Sequence, residues 1–114
     1  MEKLNVCNKN GAAIIDYEGE ITIEITPEIK QVISEVIENN DVSAVVLDLS
    51  RVSFMDSSGI GFLVSCNTRL QNAGKELFLY RPSSQVCKTL ELVQLLNFFE
   101  VAEDEDELTA LLPE

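Results

Sequence analysis

Apolar and polar positions along the chain fall into short blocks whose period changes from two to about 3.6 and back. Leu4 to Lys9 reads as a strand, Asn10-Gly11 as a turn, and Ala12 to Tyr17 as a second strand. Together they predict an opening hairpin. Glu18-Gly19-Glu20 leads toward a further break. Ile29, Val32, Ile33, Val36 and Ile37 then repeat at helical spacing, with Glu28, Lys30, Gln31, Ser34, Glu35 and Glu38 between them. That is one apolar stripe on a wet helix. Thr26 is placed to cap it and Pro27 to occupy its first turn, and Asn39-Asn40-Asp41 ends it.

Ala44-Val45-Val46-Leu47 is a continuous apolar run of strand length, as expected of a strand covered on both faces. Asp48 to Met55 leads away from it. Asp56-Ser57-Ser58-Gly59 opens a second helix carrying Ile60, Leu63, Val64 and Leu70 inward and stopping near Asn72-Ala73-Gly74. Leu77 to Tyr80 is a further strand. Ser83-Ser84 can cap a third helix with Val86, Leu90 and Val93 inside, and Phe98-Phe99 suits a last short strand. Glu103 to Leu112 reads as a closing helix whose acidic first turn matches the positive end of the helix dipole. A hairpin followed by alternating helix and strand predicts an α/β fold, one mixed sheet covered by about four helices. At 114 residues, with no linker or repeat, the expectation is a single domain spanning 1–114.

Charge narrows the partners. Twenty acids against eight bases give a net charge of −12, which offers little to a phosphate backbone, so nucleic acid is not expected as a partner. Long-range attraction favours a partner with a basic surface. No apolar run approaches the ~20 residues of a membrane span, and Met1 to Asn5 lacks the apolar core of a signal peptide. The expectation is a cytoplasmic protein without membrane insertion. Cys7, Cys66 and Cys87 are scattered, with no CxxC pair, so neither a metal site nor a disulfide framework is suggested. The chain has no histidine, which removes the commonest general base and any Ser-His-Asp triad.

The chemistry therefore concentrates between Val45 and Leu63. A buried strand leads through a short loop into Asp56-Ser57-Ser58-Gly59, where the first amides of a helix are unpaired and negative charge is welcome. A serine here is suited to carry a phosphoryl group, which adds about −1.5 to −2 charges without unfolding anything. Spacing alone equally allows Ser57 or Ser58 to be an ordinary N-cap. Gly59-x-Gly61 has neither the Walker lysine nor the full GxGxxG pattern of a nucleotide loop. Asp56 beside Ser57 is poorly placed to act as base to a nucleophile. The acids from Glu103 to Glu107 suit a solvated helical turn better than a metal site.

Val45-Val46-Leu47-Asp48-Leu49-Ser50, followed by Val52-Ser53-Phe54-Met55-Asp56-Ser57-Ser58-Gly59-Ile60-Gly61, resembles the signature of the STAS domain. This family comprises anti-sigma factor antagonists and the cytosolic tails of sulphate transporters. The element order is compatible over nearly the whole chain, including Gly19-Glu20-Ile21 before the first helix. The resemblance implies a binding protein rather than an enzyme, acting by partner switching in bacterial transcription regulation. It implies that Ser57, with Ser58 as the less favoured acceptor, is phosphorylated by an anti-sigma factor with serine-kinase activity. The unmodified form binds that partner, the phosphorylated form releases it, and a metal-dependent serine phosphatase resets the cycle. ATP and metal then belong to the partners, and no cofactor is implied for this chain. The implied partner surface is Thr22, Glu24, Asp56, Ser57, Ser58, Gly59 and Ile60. Antagonists usually carry an aspartate where this chain has Thr22. Either Glu24 supplies that carboxylate, or the partner differs from a sigma-regulating kinase. The alternative is a structural STAS subunit of a lipid-transport or stress-signalling assembly in which Ser57 is only a cap. The sequence sets no oligomeric state.

Overall fold

The computed structural model describes residues 4–112. Strands β1 (Leu4–Lys9) and β2 (Ala12–Tyr17) form an antiparallel hairpin. Its two-residue connection has Asn10 at φ 53° and Gly11 at φ 83°, the pair of positive angles that matches the twist of a tight hairpin. β2 then pairs in parallel with β4 (Ala44–Asp48), β4 with β6 (Glu76–Tyr80), and β6 with β7 (Glu100–Ala102), giving the order β1-β2-β4-β6-β7. A separate parallel pair joins β3 (Gly19–Ile21) to β5 (Val52–Met55). Four α-helices lie among the described residues: α1 (Thr26–Ile37), α2 (Ser57–Asn72), α3 (Ser84–Leu92) and α4 (Glu105–Leu111).

The period-two pattern divides the large sheet into two faces. Ala13, Ile15, Val45, Leu47, Leu77 and Leu79 point into the major core, where Ile29, Ile33 and Val36 of α1, Leu63, Cys66 and Leu70 of α2, and Val86 and Leu90 of α3 cover them. Ala12, Ala44, Val46, Phe78 and Ala102 point the other way, where Leu108 of α4 closes on them. α4 is too short to cover that whole face. A cleft of about 730 Å³ remains beside it, lined by Lys9, Ile14, Tyr80, Leu108 and Leu112 among others. Burial in the major core pushes the Cys66 thiol up to about 12, leaving it protonated and unreactive at neutral pH.

Several expectations need correcting. Thr26 is not the cap of α1. Ile25 holds that position without a side-chain bond, Thr26 is the first helical residue, and its hydroxyl donates to the Ile23 carbonyl at 3.3 Å. The reason lies in the preceding turn: the amides of Ile25 and Thr26 both donate to the Thr22 carbonyl, at 3.1 and 3.2 Å, so the chain is already coiled on arrival. Gly19–Ile21 forms the short strand β3, with the expected break following it at Thr22, and Val52–Met55 is strand β5 rather than a plain connection. Val93 is half exposed at the C-cap of α3 instead of buried. Phe98 closes a 3₁₀ turn (Leu96–Phe98), and the last strand begins at Glu100, beyond Phe99. α4 starts at Glu105, because Asp104 caps it by accepting the Glu107 amide at 2.9 Å.

Candidate functional site at the mouth of the second helix

β5 delivers the chain directly into α2. Ile21 of β3 lies opposite Met55 of β5, so the parallel register carries Thr22 out of its strand beside Asp56. The turn after Thr22 and the mouth of α2 therefore share one end of the β3–β5 pair. Both strands are required to make the site.

Asp56 is the N-cap. Its backbone is extended, its Oδ1 accepts the Gly59 amide at 3.0 Å, and its carbonyl accepts the Ile60 amide at 3.1 Å. The cap reading of Ser57 and Ser58 is thereby displaced: they occupy the first two helical positions, both exposed. Among the described residues, no hydrogen bond engages either hydroxyl. Ser57→Ala is therefore expected to change stability by less than about 0.5 kcal/mol, whereas Asp56→Ala loses about 1 kcal/mol with the cap. Parallel urea titrations of the two variants check this. A loss of cap size on Ser57→Ala alone would contradict the assignment.

Gly59 and Gly61 lie inside α2, not in a phosphate-cradling loop. Gly59 is buried where the helix crosses the strand pair. A Cβ there would stand 2.8 Å from the Ile21 carbonyl oxygen and nearer still to Met55 Cγ. Gly61 faces open space, and Ile60 is half buried against the core. One turn separates Gly61 from Ser57, so the two share a helix face.

Thr22 and Glu24 fall to one side of this mouth. They line a hollow of about 470 Å³ with Tyr17, Gly19, Glu20, Ile25 and Ser53. Thr22 Oγ1 accepts the Glu24 amide at 3.4 Å, so its side chain is spent on the turn. The Glu24 carboxylate is exposed and no hydrogen bond ties it to Ser57. At the rim of the same hollow, burial, with Glu28 and then Glu20 adding to it, raises the Tyr17 phenol; that hydroxyl donates to the Glu20 carbonyl at 3.1 Å.

Two exposed apolar side chains escaped the sequence reading. Ile23, 70% exposed, tips the turn after β3, and Phe54, 42% exposed, stands on β5 two residues before Asp56. Phe54 gave no signal in the alternation, because it shares a strand face with the buried Val52 and alternation would bury the two together. Ile23 left no signal, because an apolar residue in a turn looks the same whether it is covered or bare.

Among the described residues, the ion pairs to cations are those of Arg51, with Asp16 at 2.5 Å and Glu18 at 3.7 Å, and of Arg81, with Asp48 at 3.2 Å. Neither cation pairs with Asp56. A phosphoryl group on Ser57 would lie beside the amides of the first helical turn, and its immediate effect there would be added charge. The acids at the start of α4 are likewise accounted for: Asp104 is the cap, and Glu107 accepts the Glu103 amide at 2.8 Å. No group of three metal-ligating side chains exists among the described residues. No helix among them is long and apolar enough to cross a membrane.

The sequence model of the STAS domain matches residues 3–108. The anti-sigma-B factor antagonist of Listeria monocytogenes is 30% identical over 90 residues, covering 79% of this chain and 78% of its own. An anti-sigma factor antagonist from Mycobacterium paratuberculosis superposes with a TM-score of 0.81 at 25% identity, over 95% of this chain and 92% of its own. The Bacillus cell fate determinant SpoIIAA in its phosphorylated form superposes with a TM-score of 0.73 at 23% identity, over 96% and 99% of the two chains.

Proposed function

This chain belongs to the STAS domain family, and on that premise we propose that it is a cytoplasmic anti-sigma factor antagonist switched by phosphorylation of Ser57. In its unmodified form it binds an anti-sigma factor with serine-kinase activity. Phosphorylation of Ser57 ends that binding, and a metal-dependent serine phosphatase restores it. Ser58, one position deeper in the helix, is the secondary acceptor. The docking face comprises Asp56, Ser57, Ser58 and Ile60 at the helix mouth, with Thr22 and Glu24 on the neighbouring turn; Gly59, expected there from the sequence, is buried against Ile21 and Met55 and serves to seat the helix.

One observation carries this reading: the Ser57 hydroxyl is exposed at the first position of α2 while Asp56 does the capping. The serine is thus dispensable to the fold and open to a kinase. A phosphate there would sit at the positive end of the helix, in water, with no packing to displace.

Thr22 favours a second reading, that of a structural STAS subunit without a switch, because its side chain serves the turn instead of presenting a carboxylate. One experiment separates the two. Incubation with the cognate anti-sigma kinase and ATP, followed by peptide mass spectrometry, is expected to add a single phosphate at Ser57. Absence of modification there, with the partner still binding, would leave the structural role standing and overturn the switch.

A further inference from the structure

We propose that two copies of this chain associate through β1, antiparallel and centred on Cys7, to join their sheets into one. β1 is a terminal strand of the five-stranded sheet, six residues long, and Asn5 to Lys9 are all exposed. The opposite edge is protected: β7 has three residues and α4 packs beside it. Edges that are meant to stay single are shortened, bulged, interrupted by proline, charged or covered. β1 carries none of these devices except Lys9 at its end, and its pairing with β2 runs without a bulge.

The hairpin fixes which backbone groups face outward. In a two-residue hairpin the closing pair, Lys9 and Ala12, exchanges both hydrogen bonds. Alternation then turns the amides and carbonyls of Lys9, Cys7 and Asn5 toward β2. Those of Asn8, Val6 and Leu4 point away from the sheet. Directly opposed residues in an antiparallel pair must point to the same face, so two identical strands related by a two-fold axis can meet only with a residue opposite its own copy. Cys7 and Val6 are the central choices.

Charge selects Cys7. The molecule carries −12 overall, yet Leu4 to Lys9 contains no acid and one lysine. It is a place where two such copies can approach. Centring on Cys7 sets Lys9 opposite Asn5 of the second copy, and Asn5 lies across from Asp16 on β2. Lys9 and Asp16 project to the same face, so each lysine comes within reach of the neighbouring copy's acid, twice by symmetry. Centring on Val6 would carry Lys9 past that neighbour to residue 3. In the favoured register Val6 and Asn8 exchange backbone bonds with Asn8 and Val6 of the second copy. Cys7 meets Cys7 as a non-hydrogen-bonded pair, whose Cα atoms approach to about 4.5 Å, within the span of a disulfide.

The test uses the full chain with Cys87→Ser as background; Cys66 is buried and stays out of the reaction. Sedimentation velocity over a concentration series is expected to show a monomer–dimer equilibrium. Mild oxidation with diamide at concentrations where dimer forms is expected to give a disulfide-linked dimer through Cys7, absent in Cys7→Ser. Val6→Pro removes an outward amide while leaving the β1–β2 bonds of Asn5, Cys7 and Lys9 in place, and is expected to abolish both the dimer and the cross-link. Val6→Lys, which keeps every backbone group, guards against misfolding of the proline variant and is expected to do the same by setting charge on the pairing edge. A monomer at all concentrations overturns the proposal. So does a dimer that ignores both Val6 variants or does not cross-link through Cys7.

Discussion

On the antagonist reading, Ser57→Asp is expected to weaken binding to the proposed kinase-type anti-sigma factor by more than about a hundredfold, equivalent to roughly 3 kcal/mol. The loss arises at the interface and not in the fold. A complex that covers the mouth of α2 buries a neutral hydroxyl, and a carboxylate or phosphate in its place must be stripped of water beside Asp56. In the free protein the same charge is mildly favoured by the unpaired amides of the first helical turn, by about 0.3–1 kcal/mol. Free protein is stabilised and the complex is destabilised, so both shifts act against binding. Isothermal titration of wild type, Ser57→Ala and Ser57→Asp against the partner measures the effect. Ser57→Ala is expected to stay near wild type in affinity and unfolding midpoint, and Ser57→Asp to unfold at or slightly above the wild-type midpoint. Wild-type affinity of the aspartate variant would sink the switch.

Gly59→Ala and Gly61→Ala are expected to move stability in opposite directions although both sit in the first half of one helix. An alanine at 59 gains helix propensity of about 1 kcal/mol. It also drives a methyl group against the Ile21 carbonyl and Met55 Cγ. The carbonyl is backbone and cannot swing aside, so separating α2 from the β3–β5 pair outweighs the gain, and the net loss is about 1–3 kcal/mol. At 61 the methyl enters open space, so only the propensity gain remains, about 0.8–1 kcal/mol. Chemical denaturation of both variants checks the pair. Equal shifts would mean that the helix does not press on the strands. Because Gly61 has no folding reason to be glycine and lies on the Ser57 face, the antagonist reading further expects the stabilised variant to bind its partner less well.

Much of this could be read before any coordinates. The stripe from Ile29 to Ile37 predicted α1 because a helix buried on one side must repeat at that spacing. Ala44 to Leu47 predicted a strand with both faces covered, and Asn10-Gly11 placed the hairpin. What escaped did so for physical reasons. β5 buries only its first and last residues, so its pattern is too short and too interrupted to register as a strand. Asp56, Ser57 and Ser58 are all good capping residues, and sequence has no means of choosing among three consecutive candidates. The choice falls to Asp56 because Gly59 must be pressed onto Ile21, which fixes where the helix begins. That one-residue decision separates a serine that holds a helix from one that is free to be modified. Thr26 failed as a cap for the converse reason, since the turn after Thr22 had already supplied the helical curvature.

The small β3–β5 pair has a consequence for biosynthesis. Its partners are parallel, so α1 and β4 must be traversed between them, and Gly19 finds Val52 only after the intervening chain is made. Ile21 and Met55 then form the seat on which Gly59 rests. Every residue of that seat precedes Asp56 in the chain, so the seat depends on α1 and β4 having folded between its two strands and not on any later segment. On the antagonist reading, a copy in which α1 or β4 is locally unfolded would offer Ser57 as part of a peptide and not as part of a folded docking face.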